Sequence, residues 1–468
     1  MTDVVASRER PQLAKSLRSR HVTMISIGGI IGAGLFVGSS AAIAAAGPAI
    51  VLSYVLAGSV ILLVMRMLGE MASVNPGQGS FTEYARIGLG EWAGFVTGWL
   101  YWYFWVVVVA IEAIAGAAII AEWIPLAEWQ IGLALMVILT LVNLTSTRTY
   151  GEFEFWFASI KVAAILAFLV IGAGYLMGFA PEDGGGMRNL TAHEGFMPHG
   201  AVAVLAAITT VIFSLVGAEI AIIAAAESNE SALTISRLTI TILLRILLFY
   251  VGSILLIVMI VPWNEIRPGI SPFVMAMERI GIPGAALIMN VIVLTAVLSC
   301  LNSGVYITSR VLFTLAARGD APQSLVQLNE RKVPVRAILL GSSLGYGAVI
   351  TAVISPSVLF AFLLNTSGAI MLVVYLIVAL AQIQQRSSLS PQQLQGLSVR
   401  MWFFPWASWM VIAAIVAVLV AMAFTSGLAS QLYASLLCTA IAWLAFHIRN
   451  RSNASQLARA YNKREFIQ

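Results

Sequence analysis

The sequence predicts an all-α protein that crosses a membrane about twelve times, and three observations support this fold class. Sixty percent of the 468 residues are hydrophobic and only 10% are charged, and the mean hydropathy is +0.93. Apolar runs of roughly the 20 residues that a helix needs to cross a bilayer recur along the whole chain. These runs lack the alternating pattern of a membrane β-barrel, so they are predicted to be helices.

Twelve apolar runs are the predicted spans, and the connections between them are short. They cover residues 22–46, 48–70, 95–122, 129–146, 155–178, 200–226, 236–262, 285–312, 336–354, 357–382, 402–423 and 428–447. No phosphate-binding loop pattern occurs in the connections. Transport driven directly by ATP is therefore not expected from this chain alone.

Lysine and arginine are distributed unevenly between the two ends of the spans. If the N-terminus is cytoplasmic, the inner segments carry 22 of the 26 Lys and Arg residues. This asymmetry follows the positive-inside rule, so we predict a multi-pass protein of the plasma (inner) membrane with both termini cytoplasmic. The asymmetry also accounts for the net charge of +5. The expected surroundings are a lipid bilayer, and no nucleic acid partner is expected.

The first span is unusually rich in glycine. Residues 27–40 read IGGIIGAGLFVGSS and contain five glycines, each of which costs a helix interior about 1 kcal/mol relative to alanine. The four-residue spacing of some of them is also typical of close packing between membrane helices. Spacing alone leaves both interpretations open, a tightly packed helix or a helix that unwinds.

A similar weak point occurs in the sixth span. Ile31-Gly32-Ala33-Gly34 of the first span resembles Val216-Gly217-Ala218-Glu219 of the sixth. Paired interruptions in two halves of a membrane protein indicate a secondary transporter built from inverted repeats. An unwound helix exposes backbone N–H groups and the positive end of a half-helix, which bind a carboxylate without placing a cation in the membrane.

The predicted repeats divide the chain into five parts. These are a cytoplasmic N-terminal tail at 1–20, spans 1–5 as the first repeat at 21–180, spans 6–10 as the inverted second repeat at 200–383, spans 11–12 at 400–448 and a cytoplasmic C-terminal tail at 449–468.

Three ionisable residues fall inside predicted spans, where each costs roughly 2.5–3.5 kcal/mol. They are Glu112, Lys161 and Glu219. Lys161 lies close enough to the span end to reach the cytoplasmic interface by snorkelling; alternatively, it is a desolvated amine that gains and loses a proton. Glu219 directly follows the sixth-span Gly-Ala pair, which favours a functional role.

The third span opens with the aromatic run GWLYWYFWVVVV, which either forms an interfacial belt or lines a pocket in part.

Several long motifs resemble the amino acid transporters of the amino acid–polyamine–organocation superfamily. They include RHVTMISIGGIIGAGLFVGSS, AGPAIVLSYVLAG, MRMLGEMA, GEFEFWFASIKV and FSLVGAEIAIIAAAES, and the resemblance covers residues 17 to 410. Within the superfamily the chain is most similar to bacterial γ-aminobutyrate (GABA) permeases. The resemblance implies five-plus-five inverted repeats, two additional helices, and first and sixth spans that are unwound at mid-membrane.

The resemblance also implies a substrate site between the unwound spans. First-span N–H groups would receive the substrate carboxylate, Phe213 would be an aromatic gate, and sixth-span backbone would lie near the substrate amine. The implied substrate-binding residues are Ile30, Ile31, Gly32, Ala33, Gly34, Glu112, Phe213, Ser214, Val216 and Gly217.

The resemblance assigns proton coupling and gating to two residues. Lys161 matches a fifth-span lysine that takes the place of a sodium ion in proton-coupled relatives, and Glu219 matches a sixth-span acid linked to gating or protonation. Ser299 and Asn302 in the eighth span are weaker candidates.

The expected function is the proton-coupled import of a small zwitterionic amino acid by alternating access. GABA is the first candidate for that amino acid. The open alternatives are another amino acid on the same fold (aromatic, proline or alanine), exchange in place of symport, and a membrane sensor or structural protein. An enzyme is not expected, because no catalytic set converges within the spans. The proton is the expected coupling ion, with no cofactor and no obligatory protein partner.

Overall fold

The computed structural model describes residues 31–75, 81–145, 147–178, 186–217, 219, 246–353 and 355–465, with the side chains of 147–153 and 452–465 outside the description. All regular structure in these residues is helical. The predicted site residue Ile30 lies outside the described residues, as do parts of the first, sixth and seventh predicted spans.

The helices follow the predicted spans in order. They are α1 Ala33–Phe36, α2 Gly38–Ala46, α3 Ile50–Val74, α4 Phe81–Leu89, α5 Glu91–Ala121, α6 Glu128–Thr145, α7 Thr147–Leu176, α8 Gly200–Leu215, α9 Ser253–Ile260, α10 Pro272–Ile280, α11 Ala285–Ala317, α12 Val335–Thr351, α13 Pro356–Ser387, α14 Pro391–Gln395, α15 Trp406–Phe424 and α16 Ala429–Glu465. A π-helical turn, Ile246–Gly252, leads into α9, and 3₁₀ turns occupy Gly47–Ala49, Gly186–Leu190, Trp263–Glu265 and Gln323–Val326.

Length and composition allow many of these helices to cross a membrane. Within the described residues, eight stretches are long and apolar enough, and the first of them, Ala33–Val74, contains two predicted spans. Shorter apolar helices at Gly200–Leu215, Ile246–Ile260 and Val335–Thr351 fall on three further predicted spans. The all-α polytopic membrane fold is confirmed, whereas the boundaries of the five parts remain a prediction.

The helices of the first and sixth spans begin and end at the predicted weak points. Helix α1 begins at Ala33, directly after Gly32, whose φ of −140° and ψ of −149° are extended. Helix α8 ends at Leu215, because Val216 turns to extended backbone and Gly217 takes a φ of +106°. Only glycine adopts such a φ without strain, so Gly217 is the residue that lets the chain leave the helix axis.

Helices α2 and α8 run in opposite directions beside each other. The end of α2 meets the start of α8, where His199 Nδ1 lies 2.9 Å from the carbonyl oxygen of Ala45 and the Ala49 N–H donates to the Phe196 carbonyl at 3.0 Å. The N-terminus of α1 and the C-terminus of α8 therefore lie together at the other end of the pair. Opposite partial charges of two helix dipoles meet there.

Neighbouring helices hold α8 in place through buried polar contacts. Asn365 of α13 accepts hydrogen bonds from the hydroxyls of Thr209 and Thr210 at 3.2 and 2.6 Å. Ser53 of α3 donates to the Val204 carbonyl at 2.7 Å. Because unpaired polar groups are costly in an apolar medium, these bonds define the rotation of α8 about its axis.

At the arginine-rich ends of the helices, an ionic cluster joins α4, α16 and the segment after α11. Asp320 accepts from Arg86 at 2.6 Å and from Arg449 at 2.5 Å. Burial lowers the pKa of the Arg86 guanidinium, but the carboxylate of Asp320, with help from Glu91 and Glu83, raises that pKa above its ordinary value. Arg86 therefore stays charged, and Asp320, which binds the guanidinium groups of both Arg86 and Arg449, keeps the three elements together.

Candidate functional site

The first helical N–H of α1 is bound to a carboxylate of the protein itself. The Ala33 N–H lies 3.0 Å from both Oε1 and Oε2 of Glu112, and Glu112 is only 1% exposed. A helix N-terminus favours a negative charge through its unpaired N–H groups and its dipole. The structure thus brings two predicted site residues, 79 positions apart, into direct contact.

Two glycines permit this close approach. A Cβ at Gly32 would lie 2.7 Å from Cys300 Cβ and would also collide with the Glu112 carboxylate. A Cβ at Gly34 would lie 2.9 Å from both Phe213 Cδ1 and Ser214 Cα. Close packing and the start of a helix therefore occur together at these glycines, and the unwinding of the first span stays a prediction, because residues 22–30 of that span lie outside the described residues.

A small cavity of about 20 Å³ lies between the ends of α1 and α8. A cavity needs roughly 10–15 Å³ to hold one water molecule, so an amino acid enters only if the lining side chains move. The lining residues are Gly34, Phe104, Trp105, Val108, Glu112, Phe213, Ser214, Val216 and Cys300.

The third-span aromatic run contributes part of this lining. Phe104 contacts Phe213 at a ring-centroid distance of 5.8 Å, and Trp105 packs edge-on against Phe104 at 5.6 Å. The sequence singled out the aromatic run but not these two members. Helix α5 is hydrophobic nearly all round, so no amphipathic pattern distinguishes its inner face.

Glu219 lies away from the cavity lining and connects the end of the sixth-span helix to two other spans. Its carboxylate accepts from the Gly217 N–H at 2.9 Å, from Tyr101 Oη of α5 at 3.2 Å and from Tyr375 Oη of α13 at 3.4 Å. The side chain is 1% exposed. Glu219 is therefore placed to hold the turn after α8 against α5 and α13.

Lys161 on α7 is paired with a carboxylate that the sequence analysis did not single out. Lys161 Nζ lies 3.9 Å from Glu154 Oε1, both side chains are 0% exposed, and Ser299 of α11 donates to both Glu154 oxygens at 2.8 and 2.9 Å. Full burial excludes snorkelling in this conformation. Glu154 precedes the predicted apolar run at 155–178 by one residue, so the predicted span did not include it.

The remaining predicted residues are divided between the site and its surroundings. Ile31 is fully buried next to Gly32, and Gly217 lies beyond the cavity lining, where it contacts Glu219. Asn302 accepts a hydrogen bond from Asn143 at 2.8 Å and does not line the cavity. Within the described part of the chain, no group of three or more His, Cys, Asp or Glu residues could hold a metal ion.

Comparison with known proteins gives consistent matches along nearly the whole chain. The family model described as Amino acid permease matches residues 21–459. The chain is 48% identical over 452 residues to the gamma-aminobutyric acid permease of Bacillus subtilis (strain 168), covering 96% of each protein. It is 45% identical over 423 residues to the gamma-aminobutyric acid permease of Escherichia coli (strain K12), covering 89% of this chain and 90% of that protein.

An aromatic transporter also matches, at lower identity. The aromatic amino acid transport protein of Corynebacterium glutamicum is 39% identical over 426 residues, covering 90% of this chain and 92% of that protein.

Proposed function

Because this chain belongs to the amino acid permease family, we propose that it imports 4-aminobutyrate (GABA) together with protons. Membership of the family makes it a multi-pass amino acid transporter rather than an enzyme. The relatives named for gamma-aminobutyric acid, at 45–48% identity, support GABA over the aromatic substrates of the relative at 39%. We place the protein in the inner membrane with both termini cytoplasmic, acting without a cofactor or an obligatory protein partner.

The observation that carries the substrate assignment is the bond between the Ala33 amide and a carboxylate. The substrate carboxylate would bind the same helix start, with Gly32 and Gly34 leaving the backbone accessible. The ammonium group would lie near the carbonyls at the end of α8, where the partial charge of the helix is negative, and near Phe213. In GABA the two charges are farther apart than in an α-amino acid, so a site that binds GABA must hold the ammonium farther from the Ala33 amide.

The buried pair of Lys161 and Glu154 supports a role in proton coupling. In our proposal, Lys161 takes up a proton from the outside, stabilises the packing of spans one, five and eight, and releases the proton to the inside. Ser299 joins Glu154 of the fifth span to the eighth span, so a change of charge at the pair would alter the contact between these spans. Protonation would then shift the balance between outward-open and inward-open packing.

Uptake by the purified protein in proteoliposomes tests this function. With the lumen more alkaline than the outside, we expect labelled GABA to accumulate, and a protonophore to abolish the accumulation. Leucine, phenylalanine, proline and alanine in excess should compete weakly. Strong competition by phenylalanine without GABA uptake would favour the aromatic alternative, and uptake only into vesicles preloaded with substrate would favour exchange.

We predict a role in gating for the hydrogen bonds to Glu219. Tyr101→Phe keeps the ring and its edge-on contact with Phe81 but removes the hydroxyl that donates to Glu219. A hydrogen bond to a charged group contributes about 1.5–3 kcal/mol, so the maximal rate of uptake should fall about tenfold or more. Tyr433→Phe, at an exposed position of α16, is the matched control, and equal rates in the two variants would contradict the role.

A further inference from the structure

Two carboxylates can bind the Ala33 amide in the proposed transport cycle, that of the substrate and that of Glu112. The proposed function assigns this amide to the substrate carboxylate, whereas in the structure both oxygens of Glu112 lie 3.0 Å from its nitrogen. One N–H group shared between two oxygens of one carboxylate is fully used. We infer that Glu112 is an intramolecular competitor of the substrate carboxylate, which must displace it from the Ala33 amide in order to bind; this inference rests on the proposed function.

Space around the amide makes the two occupants mutually exclusive. Gly32 is in contact with Glu112 and Cys300 so closely that no Cβ fits between them. The cavity beside Glu112 has a volume of about 20 Å³, far less than an amino acid requires. A substrate carboxylate therefore reaches the Ala33 amide only after the Glu112 side chain has rotated away from α1.

Charge opposes simultaneous binding as well. Two carboxylates in one buried site repel each other strongly, because the local dielectric constant is low. A protonated Glu112 is a weaker acceptor than its ionised form, so it releases the amide more readily and does not repel the substrate. Proton binding at Glu112 and substrate binding at Ala33 should therefore favour each other.

The groups facing Glu112 come from three neighbouring helices. Helix α1 presents the Ala33 N–H, α11 presents the Cys300 thiol, and α7 presents the Lys161 ammonium, which acts on Glu112 through its charge. Lys161 also forms an ion pair with Glu154, which lies on the same helix as Lys161. Among the described residues, Glu112 therefore has the Ala33 N–H as a direct donor, the Cys300 thiol beside it and Lys161 as a more distant cation. The N–H donor is the group that coincides with the proposed substrate site.

Binding measurements on the purified full-length protein test the competition. We would compare wild type and Glu112→Gln by equilibrium dialysis with labelled GABA, with butyrate, which keeps the carboxylate and lacks the amine, and with propylamine, which lacks the carboxylate. In the wild type, GABA affinity should fall as the pH rises from 5.5 to 8.5. In Glu112→Gln it should vary less than about twofold over this range, and at pH 8.5 the affinity for GABA and butyrate should be at least about tenfold above wild type.

Two controls separate competition from a general effect of the substitution. Glu122→Gln makes the same change at an exposed position directly after the end of the same helix, where Glu122 accepts from Asn290 at 2.8 Å, and should behave like wild type. Propylamine should gain no affinity in Glu112→Gln, because the gain is specific to the carboxylate. If Glu112→Gln does not fold, Glu112→Asp supplies a second variant, whose carboxylate is one carbon shorter and should raise butyrate affinity while keeping the pH dependence.

The outcomes distinguish this inference from the proposed function. Unchanged butyrate affinity together with an unchanged pH profile in Glu112→Gln would overturn the competition. A gain in butyrate affinity in a protein that neither binds nor transports GABA would overturn the substrate assignment and retain Glu112 as the competitor of a carboxylate.

Discussion

Replacing Gly34 with alanine is expected to reduce the initial rate of uptake at least about 100-fold. Alanine is the better helix former by about 1 kcal/mol, so local propensity alone would favour the variant. Its Cβ, however, would lie 2.9 Å from Ser214 Cα and from Phe213 Cδ1, and a backbone atom cannot move aside without shifting α8. A displacement of about 1 Å in a binding site costs on the order of 100-fold in rate.

The measurement is GABA uptake in proteoliposomes, normalised to the amount of reconstituted protein. Gly347→Ala is the matched control, because Gly347 lies within α12 and a Cβ there would have no heavy atom within 4 Å. We expect Gly347→Ala to retain full uptake and equal or higher thermal stability. If Gly34→Ala transported within threefold of wild type, the close approach of α1 and α8 would not be needed for transport.

Replacing Lys161 with glutamine is expected to abolish accumulation driven by a pH gradient and to destabilise the protein. Removing one member of a buried ion pair costs about 3–5 kcal/mol, since it leaves the other charge without a partner. Here the remaining charge is Glu154, whose hydrogen bonds from hydroxyl groups of α11, that of Ser299 among them, do not replace the lost cation. Thermal unfolding in detergent should therefore show a lower midpoint for Lys161→Gln than for wild type.

A double variant separates folding from coupling. Lys161→Gln combined with Glu154→Gln removes both charges, so the unfolding midpoint should recover toward wild type while accumulation stays absent. Exchange of labelled for unlabelled GABA at equal pH on both sides should persist in the double variant, because exchange needs substrate binding and not a proton gradient. Full accumulation under a pH gradient in either variant would exclude Lys161 as the coupling residue.

Lys161 has a buried partner that its position in the sequence does not reveal. The sequence identified a single charge in an apolar run, whereas the structure shows a fully buried pair with Glu154. The two residues are seven positions apart, about two helical turns, so they share one face of α7. A predicted span that began at residue 155 placed Glu154 one residue outside the membrane and hid the pairing.

The glycine-rich weak points of the first and sixth spans were predictable, but the contact that forms at the start of α1 was not. The motifs singled out at 31–34 and 216–219 lie where the structure starts α1, at Ala33, and ends α8, at Leu215. The occupant of the Ala33 amide was not predictable, because Glu112 comes from a helix 79 residues further along the chain. No periodicity in α5 indicates that Glu112, rather than a neighbouring residue, turns toward α1.

The sequence by itself determined the membrane class, the order of the helices, the two glycine-rich helix ends and the identity of three buried charges. These are local properties, since hydropathy, helix propensity and the cost of burying a charge are all encoded within one span. Only the tertiary structure decided that Glu112 binds Ala33, that Lys161 pairs with Glu154, and that Phe104 and Trp105 line the cavity. Helices that are apolar on every side carry no signal of which face meets which neighbour, so these contacts depend on how distant spans pack against one another.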